Sequence, residues 1–176
     1  MRVLVAYASK HGATAEIADA IAERLRAAGH DVEAHPAQDV TTVDGFDAVV
    51  LGSAVYAGSW RKEAVELAER HGDQFVRVPL WLFSSGPLGE DVDDNEEQPK
   101  QLPSLRESLA PRDHRVFFGA LDPGKLGFGE RMVVKAVKAP QGDFRNWDEI
   151  HGWADAIAEE LLTRSEACLR ARDSCA

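Results

Sequence analysis

Four short, almost continuous apolar runs, Arg2–Ala8, Asp47–Ser53, Val78–Ser85 and Arg115–Leu121, constrain this chain more than anything else in it. Each is rich in β-branched or aromatic residues and too short for a buried helix, so each reads as a strand covered on both faces. A weaker run, Asp31–His35, supplies a fifth strand. Helical patterns intervene at Ala13–Ala28, Arg61–His71, Leu102–Leu109 and Asp148–Leu162. In the first, Ile17, Ile21 and Leu25 fall four apart beside Ala18 and Ala22, and Gly29 stops the helix. In the last, Ile150, Trp153, Ala154, Ile157 and Leu161 form one stripe, with Asp148 placed to cap its start. Strands joined by helices require a parallel sheet covered on both faces, an α/β fold. At 176 residues one domain, 1–176, accommodates all of it, and no internal repeat is visible.

In a parallel sheet of this kind, ligands bind where loops leave the carboxyl ends of the strands. Three such loops here are built from small or hydroxyl residues: Ser9–Thr14, Ser53–Trp60 and Ser84–Gly89. They are expected to converge on one edge. The first combines hydroxyls and a glycine with the N-terminus of a helix, whose orphan N–H groups and dipole favour an anion. A P-loop would need Lys-Ser/Thr after its last glycine, but Ala13 and Thr14 follow Gly12. A dinucleotide fold would need three spaced glycines, and this loop has one. What remains is a phosphate monoester, set against the plainer account in which Ser9 or His11 only caps the helix. Tyr56 and Trp60, four apart around Gly58, would add a slot for a planar ring.

The formal net charge of −10 argues against a nucleic-acid partner. Two cysteines, Cys168 and Cys175, exclude a disulfide scaffold and read as thiols on a frayed tail, which suits a reducing cytoplasm. No signal peptide or membrane span is expected, and no metal site stands out. Two stretches break the strand–helix rhythm. Glu90–Gln101 is an acidic run that reads as a solvated loop. Asp122–Arg145 is an insertion with a local positive surplus from Lys125, Arg131, Lys135, Lys138 and Arg145.

Ser9, Gly12 and Thr14 match the phosphate-loop pattern Ser/Thr-x-x-Gly-x-Thr, and in this the chain resembles the flavodoxins. The resemblance implies a flavodoxin-like three-layer sandwich, a five-stranded parallel sheet ordered 2-1-3-4-5 with helices on both faces. It also implies FMN as cofactor. Ser9, Gly12, Ala13 and Thr14 would hold the phosphate, with Lys10 and His11 donating backbone N–H groups. Ser53, Ala54, Val55, Tyr56, Ala57 and Gly58 would flank one side of the ring, and Ser85, Gly86, Pro87 and Leu88 the other. Gly58 can turn its peptide at little cost, so its carbonyl can accept a bond from the reduced ring, although a plain tight turn accounts for it equally well. No catalytic side chain is required, because the cofactor carries the chemistry. His151 reads as a surface or packing residue and Trp153 as core, and Glu90, Asp91, Asp93 and Asp94 would disfavour the fully reduced cofactor.

Three further stretches, "GSAVYAGSWRKEAVEL", "FFGALDPGKLGFGERMVVKAVKA" and "DFRNWDEIHGWADAIAEEL", are similar to the flavodoxin-type, menaquinone-dependent protoporphyrinogen IX dehydrogenases. That likeness implies an oxidoreductase that oxidises protoporphyrinogen IX or a similar reduced substrate and passes electrons to a quinone. The inserted 122–145 segment would attract a tetrapyrrole's propionates or touch the inner face of the cell membrane. The alternative is a non-enzymatic electron carrier that docks with redox proteins through the acidic run. A receiver domain of related fold would need an aspartate where Gly52 and Ser53 stand.

Overall fold

The computed structural model describes residues 1–86, 98–121, 124 and 142–173, with side chains to residue 167. Pro87, Leu88, the acidic residues Glu90–Glu97, most of the 122–145 segment and Cys175 lie outside the described residues.

Strands β1 (Arg2–Ala8), β2 (Asp31–Pro36), β3 (Ala48–Tyr56), β5 (Leu80–Ser85) and β6 (Asp113–Phe117) form a parallel sheet in the order β2-β1-β3-β5-β6. Counted over the five parallel strands alone, this is the expected 2-1-3-4-5. The extra member is β4 (Ser59–Trp60), a two-residue strand antiparallel to β3.

Alternate side chains feed two separate cores. Val3, Val5, Val50, Trp81 and Phe83 face α1 (Ala13–Ala27) and the last helix (Trp147–Asp173). Leu4, Ala6, Leu51 and Leu82 face α2 (Lys62–Arg70), the short α3 (Gly72–Phe75) and α4 (Leu102–Leu109). Burial on both faces is why these strands read as continuous apolar runs rather than alternating ones. Arg24 ties α1 to the last helix through Asp155.

Four expectations are corrected. The run Arg115–Leu121 is not one strand: β6 ends at Phe117, and Ala120–Leu121 forms β7, antiparallel to β8 (Gly142–Asp143) in a sheet of its own. The chain turns away at Gly119, where an added Cβ would stand 3.4 Å from Gly86 Cα. The third strand does not give way to loop at Ser53 but continues through Ala54 and Val55 to Tyr56, because β4 folds back and pairs Val55 with Trp60. The last helix is capped by Asn146, whose Oδ1 accepts the Glu149 N–H at 3.2 Å; Asp148 already lies inside the first turn. That helix runs to Asp173, so Cys168 sits in helical backbone rather than on a frayed tail.

Candidate functional site

The parallel strands finish at one level: Ala8 pairs with Ser53, Ser53 with Ser84, and Ser85 with Phe117. The loops that follow therefore leave from one edge. Beyond Ala8, the Ser9 hydroxyl accepts the Gly12 N–H at 3.1 Å, closing a tight turn. Gly12 itself adopts φ +95°, a left-handed conformation in which a side chain would be strained. α1 begins at the next residue, and no side chain caps it. Ser9 is thus spent on the turn and does not reach into the helix, so the plain capping account fails for it. The first-turn N–H groups of a helix have no partner within it, and Thr14, inside that turn, keeps only 2% of its exposure.

The second loop comes to meet the first. Tyr56 is 41% exposed, while Trp60, Phe75, Trp81, Phe83, Phe117 and Trp153 are buried. The Tyr56 ring centre lies 6.1 Å from that of His11, edge to face, and the Lys10 ammonium stands 5.3 Å from it. Ala57 (φ +49°) and Gly58 (φ +69°) form the two-residue turn of the β3–β4 hairpin, both left-handed as such turns require. For alanine that conformation costs about 1 kcal/mol. The hairpin is braced from outside: the Gly58 carbonyl accepts the Lys100 N–H at 2.9 Å, and Gln101 Oε1 accepts the Trp60 N–H at 3.0 Å. Gly58 is therefore seated in a tight turn with its carbonyl engaged.

Trp60 does not stand at the edge as a ring platform. It is buried, and its indole N–H donates to Ser84 Oγ at 2.8 Å. Ser53, fully buried, accepts the Arg61 N–H at 2.9 Å and donates to the Ala54 carbonyl at 2.9 Å. Its hydroxyl fixes the hairpin rather than facing the edge. Ala54 and Ser85 are buried beside it. The third loop begins at Gly86, which donates to the Phe117 carbonyl at 3.3 Å. A Cβ on Gly86 would fall 3.0 Å from the Val55 carbonyl oxygen, so a side chain there would press the third loop against the end of β3.

Two residues outside the expected set belong to this neighbourhood. Arg145 donates to Glu16 at 2.6 Å, in the first turns of α1, and lies 3.4 Å from the Ala13 carbonyl. Lys100 braces the hairpin. Neither carries a local sequence signal, since each meets partners far away in the chain. Behind the edge, His114 joins Trp60 through Ser84: its Nε2 is 2.9 Å from Ser84 Oγ, and its Nδ1 is 3.4 Å from Arg106. Burial, and then the Arg106 charge, push its pKa down to about 4. A neutral ring that donates from Nε2 and accepts at Nδ1 satisfies both contacts. His151 packs against Trp147, and Trp153 is core, its indole N–H bound to Asp113 at 2.8 Å. Among the described residues no cluster of ligating side chains could hold a metal ion, and no helix is long and apolar enough to cross a membrane.

The arrangement can hold an anion at an uncapped helix start and present an aromatic face beside it. Comparison with known proteins agrees in fold. A flavodoxin from the domain Archaea superposes with a TM-score of 0.59 at 15% identity, covering 91% of this chain and 98% of that one. The Streptococcus pneumonia TIGR4 flavodoxin gives 0.59 at 18%, covering 93% and 99%. In sequence, the Protoporphyrinogen IX dehydrogenase (quinone) of Escherichia coli (strain K12) is 19% identical over 172 residues, 90% of this chain and 95% of that protein. The profile of the flavodoxin domain family matches residues 4–148, so the chain belongs to the flavodoxin domain family.

Proposed function

We propose that this protein binds FMN at the edge formed by the loops after β1, β3 and β5, and that it is an oxidoreductase taking electrons from protoporphyrinogen IX or a similar reduced substrate to a quinone. The observation that carries the cofactor is the start of α1. It has no side-chain cap, Thr14 lies within it, and an exposed tyrosine stands one loop away. That donor set suits a phosphate dianion on a planar ring system, and a flavin is what the family implies. The substrate class is supported by the similarity, along nearly the whole length, to a quinone-linked dehydrogenase.

In this reading the N–H groups of Lys10, His11, Ala13 and Thr14, with the Thr14 hydroxyl, receive the phosphate. Ser9 fixes the turn that aims them. Tyr56, Ala57 and Gly58 flank the ring on one side, Ser85 to Leu88 on the other, and Ser53 and Ala54 support the hairpin from behind. FMN, when bound, supplies transfer of a hydride or of single electrons, so the chain contributes position and electrostatics. β7 and β8 bring the two ends of the 122–141 stretch together. Its basic residues would draw an anionic substrate or the inner membrane surface to the same molecule.

Thr14→Ala is expected to weaken FMN binding by about 1–3 kcal/mol, the scale of a charge-assisted hydrogen bond. Unchanged affinity in a fluorescence titration would remove the phosphate assignment. Activity is tested by reducing the bound flavin anaerobically and mixing it with a menaquinone analogue, then presenting the oxidised protein with protoporphyrinogen. Reaction with both is expected. Reaction with neither, alongside rapid exchange of electrons with redox proteins, would favour a carrier.

A further inference from the structure

Arg145, at the far end of the inserted segment, has every nitrogen of its guanidinium engaged. Its side chain retains 7% exposure. Nε and Nη2 donate to the two carboxylate oxygens of Asp143 at 2.8 and 2.6 Å, and the Arg145 N–H donates to Asp143 at 3.1 Å. Nη1 donates to Glu16 at 2.6 Å and lies 3.4 Å from the Ala13 carbonyl. The guanidinium sits 4.5 Å from the Trp147 ring centre. The bond to Asp143, and after it the bond to Glu16, raise its pKa despite burial, so the charge is permanent.

The place matters more than the pairing. Ala13 is the first residue of α1, and Glu16 lies in its first turn. By itself Glu16 suits a helix N-terminus, because the dipole favours a carboxylate there. A carboxylate so placed competes with any outside anion, and Asp143 adds a second negative charge beside it. A carboxylate in the first turn, with a second joined to it through the shared arginine, would repel a dianion. Arg145 bonds both carboxylates.

We propose that Arg145 is a positioning residue for phosphate: it neutralises Glu16 and Asp143 at the first turn of α1, and thereby lets the uncapped helix start accept a phosphate dianion. This rests on the FMN reading above. It predicts a role in selecting the phosphorylated form of the ligand, not in holding the ring.

The test compares FMN with riboflavin, which shares the ring and lacks the phosphate, in equilibrium titrations of the full chain. Wild type is expected to prefer FMN. Arg145→Met should lower FMN affinity roughly ten-fold and riboflavin affinity less than about two-fold. Glu16→Gln added to Arg145→Met should restore most of the preference, because it removes one carboxylate from the first turn of α1. Glu16→Gln alone should tighten FMN and leave riboflavin unchanged, which keeps the proposal testable should Arg145→Met fold poorly. Equal weakening of both ligands without rescue would make Arg145 a structural latch and overturn the proposal, as would loss of FMN affinity in Glu16→Gln. A wild type that does not prefer FMN would overturn the cofactor reading itself, whatever the variants do.

Discussion

Gly52→Ala is expected to destabilise the protein by about 3 kcal/mol, the upper end of what overpacking a core usually costs. Gly52 lies in the middle strand of the sheet, directly beside Phe83. An added Cβ would fall 2.0 Å from Phe83 Cζ and 2.1 Å from Cε1, distances at which something must move. The ring has nowhere to go. Phe83 is fully buried, with the Phe117 ring centre 6.0 Å away and that of Trp153 6.2 Å away. Moving the strand instead would disturb Ser53, and with it the hairpin that carries Tyr56. Adding Phe83→Leu should recover part of the loss, because the smaller side chain vacates the space; each change alone is harmful, so the pair should be strongly non-additive. Denaturant titration measures all three variants. A loss below about 1 kcal/mol for Gly52→Ala would mean that the ring swings aside freely.

Stability is expected to fall as pH drops from about 6.5 to about 4, a loss that begins well above the range in which carboxylates titrate. An unfolded histidine titrates near 6.5, and in the folded protein burial, followed by the Arg106 charge, pushes His114 down to about 4. Above the higher value both states are neutral, and the full stability is present. Between the two, the unfolded chain binds a proton that the native state refuses, so the native state loses ground as pH falls, and below the lower value the loss is complete. With allowance for solvent screening of a partly exposed ring, the effect is about 2 kcal/mol. His30 and His71 act in the same direction, each lowered first by burial, and each has a buried ring nitrogen without a hydrogen-bond partner. Asp113 has its pKa lowered: burial opposes this, but bonds from Trp153, Arg115 and His114 outweigh it. Its contribution is therefore lost only at still lower pH. His114→Gln should flatten the profile between pH 6.5 and 4.5. If the variant's profile superposes on that of wild type, the ring titrates normally and the Arg106–His114–Ser84–Trp60 connection carries no such cost.

The residues that were legible in advance share one property: their neighbours in space are predictable from neighbours in sequence. The stripe of Ile17, Ile21 and Leu25 and the runs at Arg2–Ala8 and Val78–Ser85 declare their burial by spacing alone, the second run forming a strand from Leu80 onward. Trp60 misled because it lies beside a turn yet faces the core, a choice made by Ser84 on another strand. Asn146 displaced Asp148 as the cap because the helix already starts at Trp147, which is laid against the Arg145 guanidinium. The split of the Arg115–Leu121 run at Gly119 depended on Gly86, a residue 33 positions earlier whose backbone passes within contact distance.

By itself, the sequence determined the α/β class and the edge where loops of small and hydroxyl residues gather, since period and loop chemistry are local properties written into consecutive residues; the strand order came only with the resemblance to the flavodoxins. Only the tertiary structure decided which hydroxyls stay at that edge and which turn inward. Ser9 closes its turn, Ser53 and Ser84 are drawn into the hairpin and the core, and Arg145 arrives at α1 from the other end of the chain. A hydrogen bond or ion pair forms with whatever group folding brings within about 3 Å, and no pattern in the chain's own order encodes that meeting.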